Sequence, residues 1–205
     1  MNRKKNPLLE KLNAGKNVYG TCITSTGPMW PAAIKSVGLD FVFIDTEHIP
    51  LGRTELALLC QLFTANDISP VVRIPSPDPY LACQAIDAGA TGIVAPYLEL
   101  KSQLVELAGA VKFRPLKGEL LAQYMDGSKP LSSRLQEYVS DYNAANMCIA
   151  NIESVPAMEK LDELLDTAGV DAVFIGPHDL SVSLDLAEQY DHPDFEVAVR
   201  TIIRK

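Results

Sequence analysis

The feature that most constrains this chain is a beat. Six short apolar, β-branched runs alternate with longer helix-forming stretches. The runs are Tyr19 to Ile23, Phe41 to Ile44, Pro70 to Ile74, Gly92 to Pro96, Met147 to Ile152 and Ala172 to Gly176. Runs that are apolar throughout, rather than at every second position, belong to strands covered on both faces, as in a parallel sheet. The helical stretches carry their own stops and starts. Asn6 and Pro7 open a helix that Gly15 ends, Asp78 and Pro79 open one that closes at Ala88-Gly89, and Ser133-x-x-Gln136 is a capping-box signature for a helix to Asn143. One further helix is expected from Pro156 to near Gly169, and the last from Pro193 to Lys205. Residues 113–131 break the rhythm with Pro115, Gly118, Gly127 and Pro130, and read as an extended loop.

Serial βα units mean a parallel sheet with right-handed crossovers, either a (β/α)8 TIM-type barrel or an open doubly wound sheet. No GxGxxG follows the first strand, which weakens the dinucleotide-binding version. Polar residues instead gather where several different strands end, as barrel active sites require. A barrel of this type takes about 250 residues. The 205 residues are therefore expected to form one domain over 1–205 with about six of the eight βα units, the last part of the barrel being missing from this chain.

A net charge of −8 argues against nucleic acid or an anionic membrane as partner. No apolar run approaches the roughly 18 residues of a membrane span. The N-terminal MNRKKNPLLEKLNAG is basic and has no apolar centre, so it does not read as a secretory signal. Cys22, Cys60, Cys83 and Cys148 are scattered with no CxxC pair, which suits reduced thiols and a cytoplasmic setting.

The strand ends supply the chemistry. Asp45, Glu47 and His48 follow the second strand, Arg73 ends the third, Glu153 follows the fifth and Asp179 the sixth. Carboxylates on adjacent strands, here Glu153 and Asp179, suit a hard cation such as Mg2+, which takes one or two protein carboxylates and fills its shell with water and substrate oxygens. Such an ion and Arg73 would stabilise a developing oxyanion, and His48 would move protons near neutral pH. Each residue has a plainer role open to it: a strand-end acid often only caps the next helix, Arg73 pairs with any neighbouring carboxylate, Asp87 sits on a solvated helix face, and the tyrosines and phenylalanines pack core or loops. The functional reading rests on their coincidence on one rim.

The segments FVFIDTEH, PVVRIP, AIDAGATGIVAP, ANIES and VFIGPHDLS, in this order and spacing, resemble the HpcH/HpaI-type class II aldolases, related to the citrate lyase β-subunit. The resemblance covers about residues 7 to 205. It implies retro-aldol cleavage of a 4-hydroxy-2-oxo acid to pyruvate and an aldehyde, a divalent cation (Mg2+, Mn2+ or Co2+) on Glu153 and Asp179, Arg73 on the enolate oxygen, and His48 as base. It also implies Asp45 as a rim carboxylate beside that base, Asp87 orienting the histidine, and the turn of Gly176, Pro177, His178 and Asp179 meeting the pyruvate carboxylate. A homo-oligomer is implied for the full-length protein.

Three departures stand out. Asn151 replaces the usual glutamine two residues before the metal glutamate. The loop Phe113-Arg114-Pro115-Leu116-Lys117-Gly118-Glu119 carries a glutamate, which questions recognition of an acidic aldehyde. The closing part of the barrel is missing. Two alternatives stay open: a citrate-lyase-like or oxaloacetate-using lyase or synthase, and a non-catalytic fragment that keeps the family pattern.

Overall fold

A computed structural model describes residues 6–205; the basic run Met1–Lys5, part of the segment read as no secretory signal, lies outside the described residues. Six strands, β1 (Gly20–Ile23), β2 (Phe41–Asp45), β3 (Ser69–Arg73), β4 (Gly92–Ala95), β5 (Met147–Ile152) and β6 (Ala172–Ile175), lie in chain order in one sheet, and every neighbouring pair is parallel. Between and around them run α1 (Pro7–Asn13), α2 (Trp30–Ser36), α3 (Arg53–Thr64), α4 (Pro79–Ala88), α5 (Lys101–Lys112), α6 (Gly118–Met125), α7 (Ser133–Asn143), α8 (Val155–Glu159), α9 (Leu161–Leu165), α10 (Pro177–Ser183) and α11 (Pro193–Arg204). No helix among the described residues is long and apolar enough to cross a membrane.

Side chains alternate between the two faces of each strand, and both faces are apolar. Val42, Ile44, Val72, Ile93, Ala95, Cys148, Ala150 and Ile152 face outward and pack with Leu59, Phe63, Ala82, Ala85, Leu104 and Leu107 of the helices. The intervening residues Phe41, Phe43, Val71, Val94, Met147, Ile149, Ala172 and Phe174 form a second, inner cluster. This explains why the strands read as unbroken apolar runs. The inner cluster also proves that the sheet curls. Phe43 of β2 and Phe174 of β6 stack with ring centroids 5.1 Å apart. In a flat sheet, four strand spacings would separate them by about 19 Å.

Helix α1 closes the lower end of this interior. Leu8 packs with Val71, Val94, Met147 and Ile149. Asn6 does more than cap the helix. Its Oδ1 accepts from the amides of Leu8 (3.1 Å) and Leu9 (3.4 Å) and from Ser69 Oγ (3.0 Å), while its Nδ2 donates to the carbonyls of Ala145 (2.8 Å) and Thr91 (3.3 Å). One buried side chain thus ties α1 to the entries of β3, β4 and β5.

Three expectations are corrected. Residues 113–131 are not an extended loop: they contain α6. Its prolines and glycines lie outside or at the ends of ELLAQYM, a run of good helix formers. Gly109 on α5 leaves room for Leu121, whose Cδ2 would lie 2.7 Å from any Cβ there, and Tyr124 meets Phe113 edge-on at 5.4 Å. The cap of α7 is Ser132, which accepts from the Leu135 amide, rather than Ser133. The stretch from Pro156 splits into α8 and α9 at Lys160, which leaves helical geometry and sends Nζ to the Glu99 carbonyl at 3.1 Å. Strand β5 spans the residues expected of it.

Asn6→Ala removes a cap and strands buried carbonyls at once. It should cost about 2–4 kcal/mol of unfolding free energy, whereas Asn13→Ala on the exposed end of the same helix should stay within about 0.5 kcal/mol. Urea melts of the two variants check this, and equal losses would refute the tie through Asn6.

Candidate active site

Where the inner face reaches the upper ends of the strands, the residues turn polar. Asp45 ends β2, Arg73 ends β3 directly beside it in register, and Asn151 and Glu153 come from β5 and its end. The Arg73 guanidinium grips Asp45 with two bonds, Nε to Oδ1 at 3.0 Å and Nη2 to Oδ2 at 2.6 Å, and its Nε lies 3.2 Å from Glu47 Oε2. Its Cζ lies 5.5 Å from the centre of the Phe43 ring. Asp45 also accepts from the amides of Glu47 (2.9 Å) and His48 (3.4 Å), which folds the chain into a turn and swings Glu47 and His48 over the rim. Burial pushes the Asp45 carboxyl up, but Arg73 and the two amides outweigh it and hold the group below the ordinary carboxylate range.

Glu153 is 5% exposed. Its Oε1 accepts from the Tyr97 amide at 2.8 Å, and its Oε2 accepts from Asn151 Nδ2. Gly176 is required here, since a Cβ would lie 2.6 Å from Glu153 Oε2. Burial raises the Glu153 carboxyl above its usual value; the Tyr97 amide opposes this, and the charges of Asp179 and Glu47 add to it. Two buried atoms beside this group, Asn151 Oδ1 and Glu47 Oε2, have no hydrogen-bond partner.

The other expected residues fall as follows. His48 is exposed, with Nε2 3.8 Å from Glu47 Oε2. Asp179 lies in the first turn of α10 and couples electrostatically to Glu153. His178 is exposed, 3.3 Å from Glu188 Oε1 and 3.8 Å from Asp179 Oδ1. The Gly176 amide is already used by the Ile152 carbonyl at 3.2 Å, and Pro177 has no N–H, so in this turn the amides of His178 and Asp179 remain for a ligand. Asp87 does not meet His48. It pairs with Arg114 Nη2 at 2.5 Å, because Arg114 is largely buried against α4 and Tyr142 and takes Asp87 as its counter-ion. The carboxylate beside the histidine is Glu47. Among the described residues no three His, Cys, Asp or Glu side chains are grouped to hold a metal by themselves.

With this geometry in view, the matches to known proteins have a clear meaning. The family model for HpcH/HpaI aldolase/citrate lyase matches residues 23–205. The chain belongs to that family. It is 30% identical over 200 residues to proteins named 2-keto-3-deoxy-L-rhamnonate aldolase from Shigella sonnei and from Escherichia coli K12, covering 98% of this chain and 74% of theirs. A solved HpcH/HpaI aldolase from Desulfitobacterium hafniense superposes with a TM-score of 0.83 at 30% identity, over 98% of this chain and 77% of its own. The citrate synthase SbnG does so with a TM-score of 0.83 at 27% identity, over the same shares. The curled six-stranded parallel sheet is thus a partial TIM-like barrel.

Sequence reasoning placed Glu47 on the rim without a role and missed Tyr97, read as loop packing. Its one available signal was position: Tyr97 follows the end of β4, just as Asp45 and Arg73 end theirs.

The Asp45–Arg73 pair makes a pH-dependent prediction. A carboxyl held low in the folded state adds stability that is present above its unfolded value, near 4, and lost as pH falls through the folded one. Asp45→Asn should cost on the order of 3 kcal/mol at neutral pH, and its deficit against the wild type should shrink as pH drops below about 4. Urea melts across that range check this; a deficit independent of pH would rule out the ion pair as its source.

Proposed function

We propose that this protein is a divalent-metal-dependent carbon–carbon lyase that splits a 4-hydroxy-2-oxo acid into pyruvate and an aldehyde. The observation that carries the reading is the desolvated Glu153 carboxylate, coupled to Asp179 and flanked by the unpartnered oxygen of Asn151. A hard oxygen donor set of two carboxylates fits Mg2+ or Mn2+, and also Co2+, with waters and substrate oxygens completing the shell. Glu153 and Asp179 would hold the ion, and Asn151 would face its shell. When bound, the ion supplies positive charge against the oxyanion that develops on the 2-oxo group.

The chain's own residues supply the rest. Asp45 and Glu47 engage Arg73 through Nε and Nη2, which leaves Nη1 as the edge for the 2-oxo oxygen. The amides of His178 and Asp179 are placed for the pyruvate carboxylate. His48, directly or through water, takes the proton of the 4-hydroxyl. The C3–C4 bond then breaks, the aldehyde leaves, and the electron pair passes into the enolate of pyruvate, which gains a proton at C3.

Arg114 is turned to Asp87, and Glu119 in the first turn of α6 is itself an anion, so neither gives this rim a cation for an acidic aldehyde. That supports a 2-keto-3-deoxy sugar acid over a 4-hydroxy-2-oxoheptanedioate, in line with the name of the 30%-identical relatives. The likeness to SbnG favours a second reading, a synthase or lyase of the citrate type; a requirement for an acyl-CoA would select it. The unpaired edges of β1 and β6 support reading 1–205 as most of one eight-unit barrel domain.

The test is pyruvate release from 2-keto-3-deoxy-L-rhamnonate with Mn2+ or Mg2+. We expect chelation to abolish it and Glu153→Gln to lower kcat by about 10²-fold or more. In the metal-free state a carboxyl whose value is raised by folding costs stability once pH exceeds it. Glu153→Gln should therefore melt no lower than the wild type at neutral pH, while losing the rise in Tm that Mn2+ gives. Cleavage that survives both chelation and this substitution would sink the reading.

A further inference from the structure

The residue after β4 and Pro96 is built in a way that packing does not explain. Tyr97 takes a left-handed backbone, φ +55°, a conformation that costs a non-glycine residue energy and persists where its surroundings enforce it. Its side chain gains little burial in return, since the residue is 54% exposed. What the conformation achieves is a double reach. The Tyr97 amide points back to Glu153 Oε1 at 2.8 Å, and the phenol reaches toward Glu47, whose charge raises its ionisation above the ordinary phenol value. Glu47 is in turn 3.2 Å from Arg73 Nε and 3.8 Å from His48 Nε2, and its Oε2 has no hydrogen bond of its own. With no hydrogen bond fixing that oxygen, a further hold on the carboxylate bears on the guanidinium and imidazole beside it.

We propose that Tyr97 is a positioning residue which braces the rim from β4, its amide fixing Glu153 and its phenol fixing Glu47, so that Glu47 holds Arg73 and His48 in their working orientation. The proposal rests on the lyase reading above. The two arms separate cleanly. Tyr97→Phe removes the phenol arm and keeps the amide arm, the ring and the backbone. If Tyr97 acts through Glu47, its loss has no further effect once the Glu47 carboxylate is gone. A displacement of under an ångström in groups that orient the substrate is enough to cost one to two powers of ten in rate.

The experiment compares wild type, Tyr97→Phe, Glu47→Gln and the double variant. It measures Mn2+ affinity by calorimetry without substrate, and kcat and KM for cleavage of 2-keto-3-deoxy-L-rhamnonate. We expect Tyr97→Phe to bind Mn2+ within about twofold of wild type and to lose on the order of tenfold in kcat with little change in KM. The double variant should match Glu47→Gln alone, as expected of residues that act as a unit. An unchanged kcat in Tyr97→Phe, a full additional loss in the double variant, or a tenfold fall in Mn2+ affinity would each overturn the brace while leaving the lyase reading intact. A wild type with no metal-dependent cleavage would instead overturn that reading, and the brace with it.

Discussion

One guanidinium holds the charged rim together. Arg73 sits at the top of an apolar barrel interior, where Asp45, Glu47 and Glu153 all feel its charge. Carboxylates so close to a stacked pair of phenylalanines would be expensive to ionise alone. Asp45 is bound by two bonds and stays ionised, and Glu47 Oε2 lies 3.2 Å from the same Nε as an ion-pair partner. Glu153 is left without a full share of that positive charge, which is why burial wins there and its carboxyl is raised while that of Asp45 is lowered. The two acids differ in environment rather than in chemistry, and the proposed roles follow that difference: Asp45 fixes the arginine, and Glu153 would take the cation.

That rim depends on the curl beneath it. Stacking Phe43 on Phe174 brings β2 and β6 face to face across the interior and gathers the tips of β2, β3 and β5 at one end of it. Glycine serves the same end at Gly176, where any side chain would occupy the place of the Glu153 carboxylate. Helix α1, pinned by Asn6, fills the other end, opposite the polar residues.

Much of this was legible in the residues. Strands buried on both faces announce themselves as continuous apolar runs, and charged residues first appear at or just past the ends of the second, third and fifth, so the parallel strands and the positions of Asp45, Arg73 and Glu153 could be read. What failed to show has physical reasons. Helix α6 hides because proline and glycine frame it, and local punctuation looks the same whether it bounds a loop or a helix. The pairing of Asp87 with Arg114 depends on how two helices and the segment after α5 pack, a contact 27 residues apart with no local trace. Tyr97 hides because its bond to Glu153 is made by a backbone amide from a left-handed backbone, neither of which its side chain advertises.

The arrangement also explains why the site holds so few acidic groups close together. A cage of three or more carboxylates would bind a cation tightly but leave little of its shell for substrate, whereas two carboxylates reserve positions for the oxygens of a 2-oxo acid. On the proposed reading the cost is weaker hold, and the raised Glu153 adds to it, because protons compete with the ion there more than at an ordinary carboxylate. Burial withdraws this single carboxylate from water, while Asn151 and the Tyr97 amide fix the direction of its two oxygens.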